Sequence, residues 1–233
     1  AMFFHGISSG TALTVTSLSK WDRRNMEHPD HPSPSFVASV SIAPGCDISR
    51  TLGRDRILWP YHDILLPMVK LTFIRNNEEL LRAHDSDAVD AALASTTLQD
   101  FVHEAAPFSG FGNRTAYYNE INPVQGMTDI TTPKLILNAV DDPCCSIASL
   151  YETSPYENHD SKTFAQLVSE AQRSILAVTK TGSHCPFFDV SSDGSIFTRD
   201  AVTGGWMLNS WADRMSIEFY MAALKVYDER RFL

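Results

Sequence analysis

The 233-residue sequence lacks any run of about 18 uncharged apolar residues, the length that a transmembrane helix requires. The nearest candidate, residues 57–74, is interrupted by two prolines, Asp63 and Lys70, and is predicted to form a core-facing or lid helix pair. Glycine and proline, at 11 and 12 residues, are too few for a fibrous or low-complexity protein. Basic residues are outnumbered, with 19 Lys and Arg against 28 Asp and Glu. The resulting net charge of −9 argues against a nucleic-acid-binding protein.

The four cysteines, at positions 46, 144, 145 and 185, have no C-x-x-C spacing, and two adjacent thiols make a poor disulfide framework. We therefore expect reduced thiols and an intracellular location. The apolar residues at the start of the sequence have no basic flank, so no signal peptide is predicted. A cytoplasmic protein and one attached to a membrane through an upstream segment both remain open.

Apolar residues make up 43% of the chain, which is typical of a globular protein. Strands are predicted over residues 1–5, 36–43, 134–140 and 174–179, with helical segments between them. Strands separated by helices in this order predict the α/β class, with a mainly parallel sheet and flanking helices. Residues 189–205, rich in Ser, Asp and Gly, are expected to form a loop, and residues 206–227 a closing amphipathic helix.

A G-x-S-x-G pattern over residues 6–10 lies between the first predicted strand and the first predicted helix. A sharp strand-to-helix turn of this kind presents its serine as a nucleophile, and we expect both Gly6 and Gly10 to be required by close contacts. Ser8 is then the candidate nucleophile, and the amide of Ser9 is one candidate donor of an oxyanion hole. The alternative is an ordinary Gly/Ser turn.

Two further candidates follow later strands. Asp142, in an Asp-Asp-Pro turn after the strand over 134–140, is favoured over Asp141 as the carboxylate that orients an imidazole. His184 follows the strand over 174–179 among small residues. Each has a simpler alternative, because aspartates are common in turns and a lone histidine is more often structural. The order Ser8, Asp142, His184 nevertheless predicts a catalytic triad.

A metal site is the competing interpretation of part of this set. Thiolate and imidazole ligands suit zinc, but the spacing matches no zinc pattern, and the triad already explains the aspartate and the histidine. We expect neither a metal nor another cofactor, and the cysteines are predicted to fill space beneath the site. The residues concerned are Asp142, Cys144, Cys145, His184 and Cys185.

Several segments together resemble one branch of the α/β-hydrolase superfamily, the lipase and esterase proteins called AB hydrolase domain-containing proteins. Its members include bacterial YheT-like hydrolases, plant embryogenesis-associated relatives and yeast medium-chain ester synthases. The resemblance runs from the first residues to about His184, with the closing helix also matching. It is carried by residues 6–10, 106–111, 117–118, 133–143 and 182–184.

The resemblance implies a serine carboxylester hydrolase that cleaves acyl esters of lipids through an acyl-enzyme, or transfers the acyl group to an alcohol. Ser8 matches the nucleophile, Asp142 the acid and His184 the base of that family. Thr11 replaces a glycine that usually follows the elbow, and Ser183 and Cys185 differ from the usual surroundings of the histidine. Residues 55–120 occupy the region of a lid or acyl pocket, although plain core packing explains them equally well.

The resemblance also implies that residues 1–233 are the C-terminal part of a hydrolase domain, beginning at the nucleophile strand. The earlier strands and the loop with the second oxyanion donor are then missing, so a partial fold is expected. The first strand becomes an exposed edge, and the chain alone is expected to fold poorly and hydrolyse little. Expected partners are an acyl ester or lipid substrate, a membrane surface and the missing N-terminal segment. The alternative function is a truncated, non-catalytic remnant or binding module.

Overall fold

A computed structural model describes residues 1–30, 36–111, 113–153, 162–190, 194–199 and 202–231. Four parallel strands form one sheet in the order β1-β2-β3-β4, and a separate antiparallel pair, β5-β6, lies outside it. Helices connect the four strands and cover the sheet. The predicted α/β class with a mainly parallel sheet is confirmed. None of the helices in these described ranges is long and apolar enough to cross a membrane.

The strands are β1 (Met2–Ile7), β2 (Phe36–Ile42), β3 (Lys134–Ala139), β4 (Ser174–Thr179), β5 (Phe197–Arg199) and β6 (Trp206–Leu208). The α-helices are α1 (Gly10–Glu27), α2 (Ile48–Thr51), α3 (Tyr61–Val69), α4 (Glu78–His84), α5 (Ser86–Ala94), α6 (Leu98–Ala105), α7 (Arg114–Ile121), α8 (Phe164–Glu170) and α9 (Trp211–Arg231). A π-helix (Lys70–Ile74) continues α3, and short 3₁₀ helices span Arg75–Asn77, Ala106–Ser109, Pro123–Asp129 and Ile147–Leu150.

The central strands are buried and the outer ones are partly open. All positions of β3 are buried, as expected for a parallel strand covered on both faces. Among the described residues β1 pairs with β2 alone, and it leaves Met2, Phe3 and Ile7 exposed. β1 is therefore an edge strand of the sheet described here.

Two apolar layers cover the two faces of the sheet. On one face, Ile136 of β3 packs with Leu18 of α1 and Leu167 of α8. On the other face, Leu135 and Leu137 belong to a cluster that α9 completes. Because neighbouring side chains of a strand point to opposite faces, β3 contributes to both layers and holds them together.

The segment between β4 and α9 differs from the sequence prediction. Phe197–Arg199 and Trp206–Leu208 pair as antiparallel strands, where a loop and the start of a helix are predicted. The guanidinium of Arg199 lies 5.1 Å from the ring centroid of Trp206, a cation–π contact across the pair. α9 therefore begins at Trp211, since the preceding β-forming residues find a partner strand. Residues 191–193, 200 and 201 of the predicted loop lie outside the described residues.

Lys134, the first residue of β3, is fully buried. Its Nζ donates to Ser39 Oγ over 3.2 Å, and no carboxylate pairs with it among the described ion pairs. Burial lowers the pKa of Lys134 to about 7, because the apolar interior disfavours the charged ammonium. The folded protein therefore holds this proton less tightly than the unfolded chain does.

Replacing Lys134 with methionine should remove a pH dependence of stability. Folding releases the Lys134 proton between about pH 7 and pH 10.5, so its contribution to the free energy of unfolding rises with pH across that window. Urea unfolding at about pH 7 and about pH 8.5 should show the wild type gaining stability relative to Lys134→Met. An equal change of stability with pH in the two proteins would contradict the lowered pKa of Lys134. The higher pH of this experiment is kept below 9.0, the usual pKa of a thiol. Above that pH the buried Cys46, whose pKa is raised by burial, would make the free energy of unfolding fall with pH and oppose the effect of Lys134.

Candidate active site

The three residues predicted to form a triad lie at one edge of the sheet. Ser8 directly follows β1, Asp142 follows β3, and His184 follows β4. Because the strands are parallel, their carboxyl ends meet at the same edge, where α/β proteins commonly bind ligands. The fold thus brings together three side chains that are far apart in sequence.

The turn from β1 to α1 holds Ser8 in an unusual backbone conformation. Its φ is +54°, in the left-handed region that side chains rarely adopt, and its amide donates to Ile42 O over 2.9 Å. A Cβ on Gly6 would lie 2.6 Å from Thr14 Cγ2 and 2.7 Å from the carbonyl oxygen of Gly10. Gly6 is therefore required by the close approach of strand and helix.

Gly10 does not meet the same restriction. A Cβ there would have no neighbour within 4 Å, so the prediction that contacts require both glycines is wrong for this position. Gly10 is the first residue of α1 and faces open space, whereas Gly6 lies under the turn. The pattern thus contains one glycine imposed by packing and one that is not.

The side chains of the three residues form a continuous hydrogen-bonded chain. The hydroxyl of Ser8 lies 2.7 Å from His184 Nε2. His184 Nδ1 lies 3.0 Å and 2.9 Å from the two carboxylate oxygens of Asp142. Such a chain can pass a proton from the hydroxyl to the imidazole while the carboxylate stabilises the resulting cation.

Asp142 is held in place by its own turn. Its residue is only 5% exposed, and Oδ1 accepts hydrogen bonds from the amides of Cys144 and Cys145, each over 2.8 Å. These amides fix the carboxylate, which leaves Oδ2 directed at the imidazole. The cysteines therefore contribute through their backbone, a role that residue type does not reveal.

Backbone strain accompanies His184. Ser183 and Cys185, on either side of it, have φ values of +54° and +82°. The amide of Ser183 donates to Asp141 Oδ1 over 2.8 Å, so the first aspartate of the Asp-Asp pair ties down the histidine loop. Gly182 permits this loop to pack closely, since a Cβ there would lie 2.5 Å from the ring of Phe187. The sequence shows the adjacent aspartates but not this division of contacts between them.

The surroundings of His184 stabilise the cation that its ring becomes on accepting a proton. Burial acts to lower the pKa of the imidazole, but the hydrogen bond to Asp142 and interactions with the thiols of Cys145 and Cys185 outweigh burial and raise the pKa above its usual value. Burial likewise raises the pKa of Cys144, to about 11, so this thiol stays protonated at neutral pH.

The start of α1 adds hydrogen-bond donors beside the serine hydroxyl. Ser9 is the N-cap of α1, and the first amides of a helix have no partner within it. They also lie at the positive end of the helix dipole. The Thr11 hydroxyl donates to the carbonyl of Ser8 over 2.6 Å and so braces the turn. The role of the Ser9 amide as an oxyanion donor stays a prediction.

A cavity of about 740 Å³ opens next to these groups. Its walls are mainly aliphatic and aromatic side chains, and many of them come from residues 55–120, the predicted lid or acyl-pocket region. The apolar lining includes Leu13, Ile48, Leu52, Ile57, Leu65, Val69, Leu98, Val102, Phe111, Tyr117 and Ile121, with Ser8 and His184 also on its surface. The cavity can accept a long apolar group whose polar end lies at Ser8.

No protein-family model matches this chain. Among solved structures, an acylaminoacyl peptidase from Pyrococcus horikoshii is 15% identical with a TM-score of 0.39, over 78% of this chain and 19% of the peptidase. An alpha/beta fold family hydrolase from Bacillus anthracis str. Sterne is 12% identical with a TM-score of 0.39, over 79% of this chain and 61% of the hydrolase. A monoacylglycerol lipase from Paleococcus ferrophilus is 15% identical with a TM-score of 0.36, over 79% of this chain and 60% of the lipase.

The chain thus spans less than two thirds of each of these structures. At such identities and TM-scores, the similarities carry no information about what this chain binds or cleaves.

The competing metal interpretation has a geometric basis in the structure. Asp142, Cys145 and His184 each place a ligand atom so that all three lie within 4.8 Å of one another. Both ring nitrogens of His184 are, however, already within hydrogen-bond distance of Asp142 and Ser8. An ion at this position would have to displace one of those contacts.

A second groove, of about 830 Å³, lies at the opposite end of the sheet. Its lining includes Phe36, Pro133 and Arg173, which stand at the amino ends of β2, β3 and β4. Its described lining contains no Ser, Cys or His. The carboxylate of Asp22 in this lining already accepts hydrogen bonds from the amides of Thr131 and Thr132, each over 2.8 Å. The groove therefore offers no arrangement of hydroxyl, imidazole and carboxylate like the one at Ser8.

The two glycines of the turn provide a matched pair of variants. Gly6→Ala should reduce the free energy of unfolding by about 2 kcal/mol or more, because its Cβ meets backbone and side-chain atoms. Gly10→Ala should leave it unchanged or raise it by roughly 0.5 kcal/mol, because alanine favours a helix and has open space here. Chemical denaturation of both variants measures the difference. Equal destabilisation by the two substitutions would contradict the close contacts assigned to Gly6 and the open space assigned to Gly10.

The two adjacent aspartates provide a test of the electrostatics. Asp142→Asn should lower the pKa of His184, because burial then acts without the opposing carboxylate. Asp141→Asn is the matched control, since its amide oxygen can still accept from the Ser183 amide. NMR titration of the His184 ring protons measures both. A pKa that falls equally in the two variants would contradict the assignment of the contact to Asp142.

Proposed function

We propose that this protein is a serine carboxylester hydrolase that cleaves acyl esters with long apolar acyl groups. The observation that carries the proposal is the hydrogen-bonded chain of Ser8, His184 and Asp142 at the wall of an apolar cavity. Acyl transfer by a serine nucleophile requires a hydroxyl bonded to an imidazole that is in turn bonded to a carboxylate, which is the order of contacts found here.

In the proposed reaction, Ser8 Oγ attacks the ester carbonyl carbon, and its proton passes to His184 Nε2 over the 2.7 Å contact. Asp142 stabilises the imidazolium, and the amide of Ser9 donates to the oxyanion. His184 then returns the proton to the departing alcohol, leaving an acyl-enzyme on Ser8. Water releases the acyl group as a carboxylic acid, or a second alcohol takes it as a new ester.

The cavity supports a lipid-like substrate. Its lining near Ser8 offers few polar groups besides the hydroxyls and His184, whereas aliphatic side chains from α3 and α6 face it. An acyl chain buried there leaves water and loses unfavourable hydration, which favours chains longer than acetyl. A lipase or esterase of the AB hydrolase domain-containing branch fits this cavity, and the sequence resemblance is what supports that finer assignment.

The non-catalytic alternative predicts a different pattern of residues. A binding module that had lost catalysis would not need a strained Ser8, a buried Asp142 and a histidine loop tied by Asp141. Retaining such strain costs stability, of order 1–3 kcal/mol for each unfavourable backbone conformation. These features favour the enzyme.

The substitution Ser8→Ala tests the proposal directly. Turnover of a p-nitrophenyl decanoate ester and labelling by a fluorophosphonate probe should fall by a factor on the order of 10⁴ or more. Ser169→Ala, on the exposed surface of α8, is the control and should keep both signals. Turnover that survives in Ser8→Ala would exclude Ser8 as the nucleophile. Because this chain alone is expected to hydrolyse little, the same measurements are made on a protein that also carries its upstream sequence. Absence of labelling and turnover in that protein would support the non-catalytic alternative.

A further inference from the structure

The helix that closes one side of the cavity is apolar on its outer surface as well. Leu65 and Val69 of α3 line the cavity, while Ile64 and Met68 on the same helix are exposed to solvent. Leu71, in the π-helix that continues α3, extends this exposed row. A helix apolar on all sides normally lies in a protein core or against a lipid phase. Here the core accounts for only one side.

Two exposed aromatic residues precede the helix. Trp59 is 81% exposed, and Tyr61, the first residue of α3, is also exposed. Trp and Tyr combine an apolar ring with a polar N–H or O–H group, so they are favoured where lipid meets water. We call the set Trp59, Tyr61, Ile64, Met68 and Leu71 the outer face.

The charges around the outer face suit a phosphate-bearing surface. Arg54 and Arg75 lie before and after it in sequence, with side chains that are 64% and 54% exposed. Each forms an ion pair with a less exposed carboxylate, Arg54 with Asp63 over 3.5 Å and Arg75 with Glu78 over 2.9 Å, so the guanidinium is the more exposed member of each pair. The carboxylate of Asp55, next to Arg54, is also open to solvent, so the local charges are balanced and not net positive. Exposed arginines flank this segment although the chain as a whole carries a net charge of −9.

The outer face and the cavity wall are formed by the same helix. Ile64 and Leu65 are neighbours on α3, one facing solvent and the other the cavity beside Ser8. His62 anchors the helix from within, because its Nε2 accepts from the amide of Leu98 at the start of α6. The outer face and the cavity beside Ser8 are therefore separated by the width of one helix.

We propose that the outer face docks on a phospholipid surface, with α3 lying in the headgroup region and the arginines near the phosphates. A helix with apolar and aromatic residues outward and flanking basic residues binds membranes in this orientation without crossing them. Docking does not require catalysis. That it delivers the ester to Ser8 rests on the proposed function.

Binding to phosphatidylcholine vesicles tests the docking, using Ser8→Ala so that no ester is consumed. The protein should float with vesicles in a density gradient. The combined substitution Ile64→Ser, Met68→Ser and Leu71→Ser should weaken vesicle partitioning by roughly 100-fold, since three apolar side chains no longer leave water. A matched triple substitution at exposed positions elsewhere, Val190→Ser, Val202→Ser and Ile217→Ser, should leave partitioning unchanged.

Two outcomes would overturn the proposal: no flotation of the unaltered face, or equal flotation of the two triple variants. Sedimentation without vesicles tests for a third outcome. If the protein does not bind vesicles but self-associates, and the outer-face substitutions abolish that self-association, the outer face binds a second copy of this chain instead of a membrane. Circular dichroism confirms that the variants fold. When Ser8 is intact, the outer-face triple variant should keep its turnover of a water-soluble acetyl ester. Its turnover of esters carried in vesicles should fall about 100-fold. Vesicle binding without any turnover would refute the proposed function and leave the docking intact.

Discussion

Parallel pairing of β1 to β4 is the constraint on which the site depends. It sets the carboxyl ends of three strands along one edge, so that residues 8, 142 and 184 can touch. β3 is the centre of this arrangement, because its side chains join the apolar layers on both faces and its carboxyl end leads directly into the acidic turn. A shift in its register would move the carboxylate away from the imidazole and weaken both layers together.

Around this edge, backbone groups do most of the positioning. Amides of the Asp142 turn hold the carboxylate, the Asp141 carboxylate holds the histidine loop, and the Thr11 hydroxyl braces the carbonyl of Ser8. Ser8 and the residue on each side of His184 have positive φ values, which are strained for residues with side chains. Such strain persists only where surrounding contacts outweigh it. Among the described residues, Ala43 and Phe187 also have positive φ, so three of the five such non-glycine residues are Ser8 and the two neighbours of His184.

The segment that covers the cavity faces two environments. Its inner side chains form the cavity wall, and its outer ones meet solvent as an apolar row with aromatics. Exposed apolar area of this kind has a cost in water, which a lipid surface relieves. The predicted lid and the proposed docking face are therefore two sides of one helix, whose position would link the proposed catalysis to the proposed membrane contact.

Local sequence pattern determined much of this protein. Periodicity and turn residues predict the α/β class, the four strands of the sheet and the turn over residues 6–10. The positions of Ser8, Asp142 and His184 after predicted strands give their order. Other features depend on contacts between distant segments. Gly6 is indispensable and Gly10 is not, because only Gly6 faces Thr14. Phe197–Arg199 and Trp206–Leu208 form strands because each segment pairs with the other. The separate contacts of Asp141 and Asp142 follow from where the β4 loop passes. Composition shows α3 to be apolar, but only the packed structure decides which of its faces lines the cavity and which remains open.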